Sequence, residues 1–185
     1  MDEAALRRSL PANLARQFLP PGGHRPSAVL VALEPGRGVW LTRRGADLPS
    51  HAGQVSFPGG KIEPGDGSVA AAALREAKEE IGLDVATTEI LGRMDDYITG
   101  TGFHISPVVA LVPRGVRFVA APGEVQEVFC LSFEVLLDPA NPIRRRAFWR
   151  GREREFWVWP HPLHPIWGAT AQMLLNLALL LRATP

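Results

Sequence analysis

Three glutamates, Glu76, Glu79 and Glu80, fall within the stretch LREAKEEIGL (residues 74–83), and only Arg75 and Lys78 stand near to offset them. Spaced i, i+3 and i+4, they occupy one face of an α-helix, within an arc of about 100°. Ala70, Leu74, Ala77 and Ile81 share a face that points well away from the acids, so the helix reads as apolar on one side and acidic on another. Such a cluster repels itself by a few tenths of a kcal/mol per like-charge pair (roughly), and the helix dipole disfavours acids near the C-terminus. A solvated charged face explains an adjacent glutamate pair well enough. Oxygen-bearing side chains on one face are also what a hard cation such as Mg²⁺ or Mn²⁺ takes as ligands. Taken alone, the helix leaves both readings open.

The acids need elements to position them. Ser68 is a good N-cap, VAAAALREAKEEI after it is the strongest helix signal in the chain, and Gly82 is a natural stop. Ahead of the helix runs a loop with Pro64 and glycines 60, 65 and 67, and the Gly59–Gly60 pair allows close backbone approach. Strand-like runs are expected at 27–33 and 38–44, joined by the turn signal EPGR, and at 54–60, 88–99, 104–113, 125–133 and 154–160. Residues 1–18 suggest one or two short helices broken at Pro11, 133–139 a short helix or turn, and 166–182 a final helix. Strands and helices mix without regular βαβ alternation. The expected class is α+β, a mixed sheet with helices on its faces, in a single domain over 1–185 with a helical extension over 1–26.

Composition narrows the function classes. A net charge of +1 over 185 residues gives no footprint for nucleic acid. The most apolar run, Met173 to Leu181, is about half the length of a spanning helix, and the N-terminus lacks an apolar signal core, so a cytoplasmic protein without a membrane partner is expected. Cys130, the single cysteine, excludes an internal disulfide and lies in the apolar run VFCLSF, where it reads as a packing thiol.

With these residues placed, GGKIEPGDGSVAAAALREAKEEIGL resembles the signature of the Nudix hydrolases. Gly60, Arg75, Glu76, Glu79, Glu80, Gly82 and Leu83 match that signature over a box of about 60–83. Asp66 stands where a Glu is usual, one extra residue separates it from Arg75, and Ala77 takes an aliphatic place. Upstream, LTRRGADLPSHAGQVSFPGGK (41–61) looks like the pattern of the coenzyme A pyrophosphatase branch, departing from it at Trp40, Gly45 and Pro49. The segment 166–172 resembles the closing helix of that branch.

The resemblance implies an α/β/α Nudix sandwich and Mg²⁺- or Mn²⁺-dependent hydrolysis of the diphosphate in coenzyme A or acyl-CoA. It implies Glu76 and Glu80 as the firmest metal ligands, Glu79 as a third or bridging one, and the Gly60 carbonyl as a further ligand. Arg75 would pair with a box carboxylate and fix its direction, where the alternative is a solvent-exposed cation. The general base would be a box glutamate or a later acid, with Glu124 after its Pro-Gly turn favoured over Glu127, for which a solvent-facing strand position is the alternative. Arg44 and Lys61 are candidates to meet phosphates. His51 and Gln54 lie in the branch pattern, although a loop His or Gln is commonly a local hydrogen-bonding residue. Asp95 and Asp96 read as a solvated turn, Arg144 to Arg146 as a solvated face or a contact for the 3′-phosphate, and His24, His104, His161 and His164 as structural. Trp149, Trp157, Trp159 and Trp167 read as core or rim aromatics, any of which could stack on adenine. Two rivals remain: a Nudix pyrophosphatase for another nucleoside diphosphate derivative such as ADP-ribose or NADH, and a nucleotide-binding module without catalysis. Oligomeric state is not legible.

Overall fold

The computed structural model of the protein describes residues 1–14, 22–48, 51–149 and 151–183. Strands β1 (Arg25–Glu34) and β2 (Gly38–Arg44) form the expected hairpin, turning at Gly36, whose φ of 81° suits glycine. Strands β3 (Val55–Ser56) and β4 (Gly59–Lys61) follow, then helix α2 (Val69–Ile81); helix α1 (Glu3–Asn13) precedes them all. A single 3₁₀ turn (Val85–Thr87) leads to β5 (Glu89–Arg93), β6 (Tyr97–Ile98), β7 (Phe103–Leu111) and β8 (Val125–Ser132). These eight strands make one mixed sheet, ordered β3-β2-β1-β7-β5, with β4 and β6 added on β1 and β7 and with β8 on β2. The β1–β7 pair is parallel and its other pairings are antiparallel.

β1 is buried on both faces from Ser27 onward, as the centre of a covered sheet must be. Ala28, Leu30 and Ala32 pack with Ala72, Ala73, Ala77 and Ile81 of α2. Val29, Val31 and Leu33 turn to the other side, where Leu6 and Leu10 of α1 join Leu174, Leu177 and Leu181 of α4 (Gly168–Arg182). Two cores separated by one sheet make the α/β/α sandwich. A helix α3 (Phe133–Leu137) follows β8, capped by the Ser132 hydroxyl accepting from the Val135 N–H (3.3 Å). A second, three-stranded sheet is built from β9 (Ile143–Trp149), β10 (Arg152–Trp159) and β11 (Ile166–Trp167). No helix among the described residues is long and apolar enough to cross a membrane.

Several expected elements are corrected. Helix α1 continues through Pro11 to Asn13 instead of breaking there, because a proline in the last turn removes only one late backbone bond. The helix is also no appendage, since Leu6 and Leu10 are wholly buried in the main core. The run 54–60 is two strands with different partners, β3 on β2 and β4 on β1. The run 88–99 is likewise split, into β5 and β6. The arginine run at 144–146 is strand β9, and residues 166–167 are strand, with the final helix starting at Gly168.

Candidate active site

Helix α2 brings the box acids to the glycine pair. Its N-cap is Ser68, whose hydroxyl accepts from the Ala71 N–H (3.0 Å), and Gly82 ends it at φ 66°, so the acids occupy its last two turns. The expected separation of an apolar and an acidic face is only partial. Glu79 is exposed, whereas Glu80 is buried beside Ala73, Ala77 and Ile81, with 6% of the residue accessible.

Glu80 Oε2 accepts the Gly59 N–H (3.0 Å), and its Oε1 lies 3.8 Å from Arg44 Nη1. Burial pushes its carboxyl up to about 7, against the pull of the Gly59 N–H and Arg44, and the negative charges of Glu76 and Glu124 add to the rise. Burial likewise raises Glu76, and Arg75 offsets part of that. Gly60 is required by contact: a methyl there would stand 2.5 Å from the Glu76 carboxyl carbon and both its oxygens. At Gly59 (φ 154°) it would stand 2.4 Å from the Ala28 carbonyl oxygen across the β1–β4 ladder. The diglycine therefore lets backbone and carboxylates approach within contact distance.

Arg75 straps loop and helix together, and each of its five N–H donors finds an acceptor. Nε and Nη2 bond the two oxygens of Asp66 (both 2.9 Å), and Nη2 also reaches the Lys61 carbonyl (3.1 Å). Nη1 is shared by Glu76 (3.0 Å) and Glu79 (3.2 Å). The same fork holds the Asp66 carboxyl down at about 2, helped by the Glu63 N–H. Asp66 is the residue that sequence reasoning passed over as a departure from the box pattern. Its charge, nine residues from Arg75, was the available signal.

Arg44 reaches Glu80 through an irregularity. The β2–β8 register shifts between Arg43 and Arg44, which pair with Glu127 and Val125, so β8 carries one residue more there. A bulge of this kind re-aims the side chain beside it. The Arg44 Nε is buried without a hydrogen-bond partner among the described residues. Gln54 is tied to this strand end by its carbonyl, which accepts the Arg44 N–H (3.0 Å). His51 adopts φ 56° and its Nδ1 is 2.9 Å from Gln54 Oε1, so these two are each other's partners. Glu124 is exposed in the loop before β8, and its carbonyl accepts the Gly45 N–H (2.8 Å). Lys61 is exposed on β4. Pro49 lies outside the described residues.

Other sequence readings change through space. Asp96 does not sit in a solvated turn: its side chain is 1% exposed and accepts from Arg93 (2.8 Å) and Ser106 (2.7 Å), with His104 Nε2 2.9 Å away. Burial works against its charge, but these partners win and hold the carboxyl below its usual value. Glu127 does not simply face solvent, since His164 Nε2 lies 2.7 Å from its Oε2. His104 and His164 thus have acidic partners that no local spacing reveals. Trp159 is fully buried and donates to the Ala171 carbonyl (2.9 Å), while Trp167 is half exposed.

The donor chemistry of the cluster suits a hard divalent cation. Two desolvated carboxylates and a backbone carbonyl are oxygen ligands with a deficit of positive charge around them. No three His, Cys, Asp or Glu side chains among the described residues already enclose a metal-sized space, and Arg75 and Arg44 pair with the acids. The fit is therefore one of ligand type and charge.

Comparison with known proteins bears on the same region. The NUDIX domain family matches residues 23–150. The protein named Uncharacterized Nudix hydrolase NudL from Shigella flexneri is 35% identical over 167 residues, covering 89% of this chain and 87% of that one. Its namesake from Escherichia coli (strain SMS-3-5 / SECEC) is 35% identical over 164 residues, covering 88% and 85%. Among solved structures, a MutT/nudix family protein from Enterococcus faecalis shares the fold with a TM-score of 0.53 at 15% identity, over 95% of this chain and 73% of that chain. The MutT protein from Methanosarcina mazei Go1 gives 0.50 at 22% identity, over 64% and 84%.

Proposed function

Given that this chain belongs to the Nudix family and is a Nudix hydrolase by its relatives, we propose that it hydrolyses the diphosphate of coenzyme A and its thioesters. The products would be 4′-phosphopantetheine, or its acyl form, and adenosine 3′,5′-bisphosphate. The observation that carries the hydrolytic reading is the pair of desolvated carboxylates, Glu76 and Glu80, pressed against the Gly59–Gly60 backbone. The coenzyme A reading rests on the resemblance of 41–61 to that branch. It is supported by where this segment runs: it supplies Arg44 and the Gly59 N–H, both at Glu80.

A bound divalent cation, Mg²⁺ or Mn²⁺, neutralises diphosphate charge, lowers the pKa of attached water and orients an in-line displacement. Glu76, Glu80 and the Gly60 carbonyl are the groups that would hold it. Glu79 is the further ligand, within reach of the same arginine that steadies Glu76. Arg75, fixed by Asp66, sets the direction of the Glu76 and Glu79 carboxylates, a positioning role. Arg44 has a buried N–H without a partner among the described residues, which suits a substrate phosphate oxygen. Glu124, exposed and near enough for its charge to raise Glu80, is the candidate base or added ligand. His51 and Gln54 order each other beside Arg44 and would frame the substrate, and Lys61 would contact phosphate from the rim.

The deciding experiment is hydrolysis of coenzyme A beside ADP-ribose, NADH and a nucleoside triphosphate, with Mg²⁺, with Mn²⁺ and with chelator. Metal-dependent release of adenosine 3′,5′-bisphosphate, with coenzyme A preferred, is expected. Preference for another of these substrates would overturn the coenzyme A reading and keep the carboxylate site.

A further inference from the structure

A cleft of about 320 Å³ opens where the three-stranded sheet meets α4 and β6, and none of its lining residues belongs to the carboxylate cluster. Its walls are Tyr97, Phe156 and Trp157, with Arg144, Glu155 and Gln172 as the polar groups and Gly168 also contributing. The volume is at the small end for a site that takes an organic ligand.

The chemistry of these walls is selective. The Arg144 guanidinium carbon lies 4.7 Å from the centroid of the Trp157 ring, so cation and indole face form one surface. Arg144 and Arg146 both pair with Glu155, at 3.3 and 2.6 Å, which leaves two cations against one carboxylate. Purine and pyrimidine faces stack on aromatic rings and on arginine planes, and a guanidinium fork suits phosphate oxygens. Gln172 donates to Asn176 (3.1 Å), and its carbonyl oxygen is suited to accept from an exocyclic amino group.

Helix α4 connects this cleft to the box. Gly168 and Gln172 line it, Thr170 between them donates to the Val55 carbonyl (2.9 Å), and four residues beyond Val55 the Gly59 N–H holds Glu80. Four residues of extended chain span at most about 14 Å, a length of the order that a diphosphate, a ribose and a base cover together. From this arrangement we propose that the cleft seats the nucleotide end of the substrate. The base lies against Tyr97, Phe156 and Trp157, and a ribose phosphate outside the scissile diphosphate meets Arg144. The assignment rests on the coenzyme A reading above and adds to it the residues that distinguish a 3′-phosphorylated nucleotide.

The test uses coenzyme A and dephospho-coenzyme A, which differ only in the 3′-phosphate, with the full-length protein. Arg144→Ala is expected to raise KM for coenzyme A about tenfold, the loss of one charge-assisted contact, leaving kcat and the dephospho substrate within about twofold. Arg144→Lys recovers part of the loss, and Arg145→Ala, outside the cleft, behaves as wild type. Calorimetry with adenosine 3′,5′-bisphosphate and no metal is expected to show binding that weakens about tenfold in Arg144→Ala. Equal KM changes for both substrates, or bisphosphate affinity unmoved by Arg144→Ala, would overturn the assignment. If wild type turns over neither substrate, the coenzyme A reading fails on its own, and the calorimetry still decides the cleft.

Discussion

Glu80 combines two opposed demands, since burial lifts its carboxyl to about 7 while metal ligation needs it ionised. Its folded pKa is raised above the ordinary 4.5, so without a cation the folded protein holds the proton more tightly than the unfolded chain. Stability therefore falls as pH rises from about 4.5 to about 7 and then levels, by about 3 kcal/mol in all. Replacing the ionisable group removes that penalty. Glu80→Gln is expected to lower kcat about a hundredfold or more while leaving the metal-free unfolding midpoint at pH 8 equal to or above wild type. A midpoint well below wild type would mean that the carboxylate is structural. The same titration makes metal compete with a proton: Mg²⁺ or Mn²⁺ affinity, measured by calorimetry, is expected to be about tenfold higher at pH 8 than at pH 6. Equal affinity at both would remove Glu80 from the ligand set. At this scale the sequence was partly legible. Spacing along one helix put Glu76, Glu79 and Glu80 together, but Asp66 meets Arg75, and Asp96 meets His104, only through loop and strand geometry that spacing does not encode.

Among the elements, the β4–α2 contact decides whether those acids can work. Gly60 and Gly59 are adjacent, and a methyl group at each meets a different obstacle. Gly60→Ala confronts the Glu76 carboxylate, the movable end of a side chain, and is expected to reduce kcat/KM about tenfold or more with little loss of stability. Gly59→Ala confronts the β1 backbone at a φ of 154° and is expected to destabilise the fold by about 2 kcal/mol or more, read from denaturant unfolding. If both variants lost stability equally, the contact at Gly60 would be ordinary packing. Helix α2 was legible to the residue, because its cap, its stop and its periodicity all agree. Strand β9 was not, since Ile143 to Trp149 shows no apolar alternation: residues 144–148 are exposed. Its pairing with β10 is visible only once the chain has turned back. The break at Pro11 failed for a different reason, as the proline falls in the last turn of α1, where it removes only one backbone bond.

In the molecule as a whole, α4 bonds to both the main sheet and the three-stranded sheet. Thr170 is buried and its hydroxyl satisfies the Val55 carbonyl of β3, while Ala171 accepts from Trp159 of β10. Thr170→Val keeps the shape and strands that carbonyl, so a loss of about 1–3 kcal/mol is expected in chemical denaturation; no loss would show the bond to be incidental. The sandwich was legible as a class from the mixture of elements; of the second sheet only β10 was, as the run 154–160, since β9 shows no apolar alternation and β11 is two residues long. One further feature concerns the lone thiol. Cys130 lies on β8 opposite Trp40 of β2, and burial pushes it up to about 12. A cysteine reagent at pH 8 therefore finds almost no thiolate, and the half-buried thiol is expected to label far more slowly in the folded chain than in the unfolded one. The wild-type chain thus carries its own reporter: slow uptake of a single label marks the folded sheet, and fast uptake marks its loss.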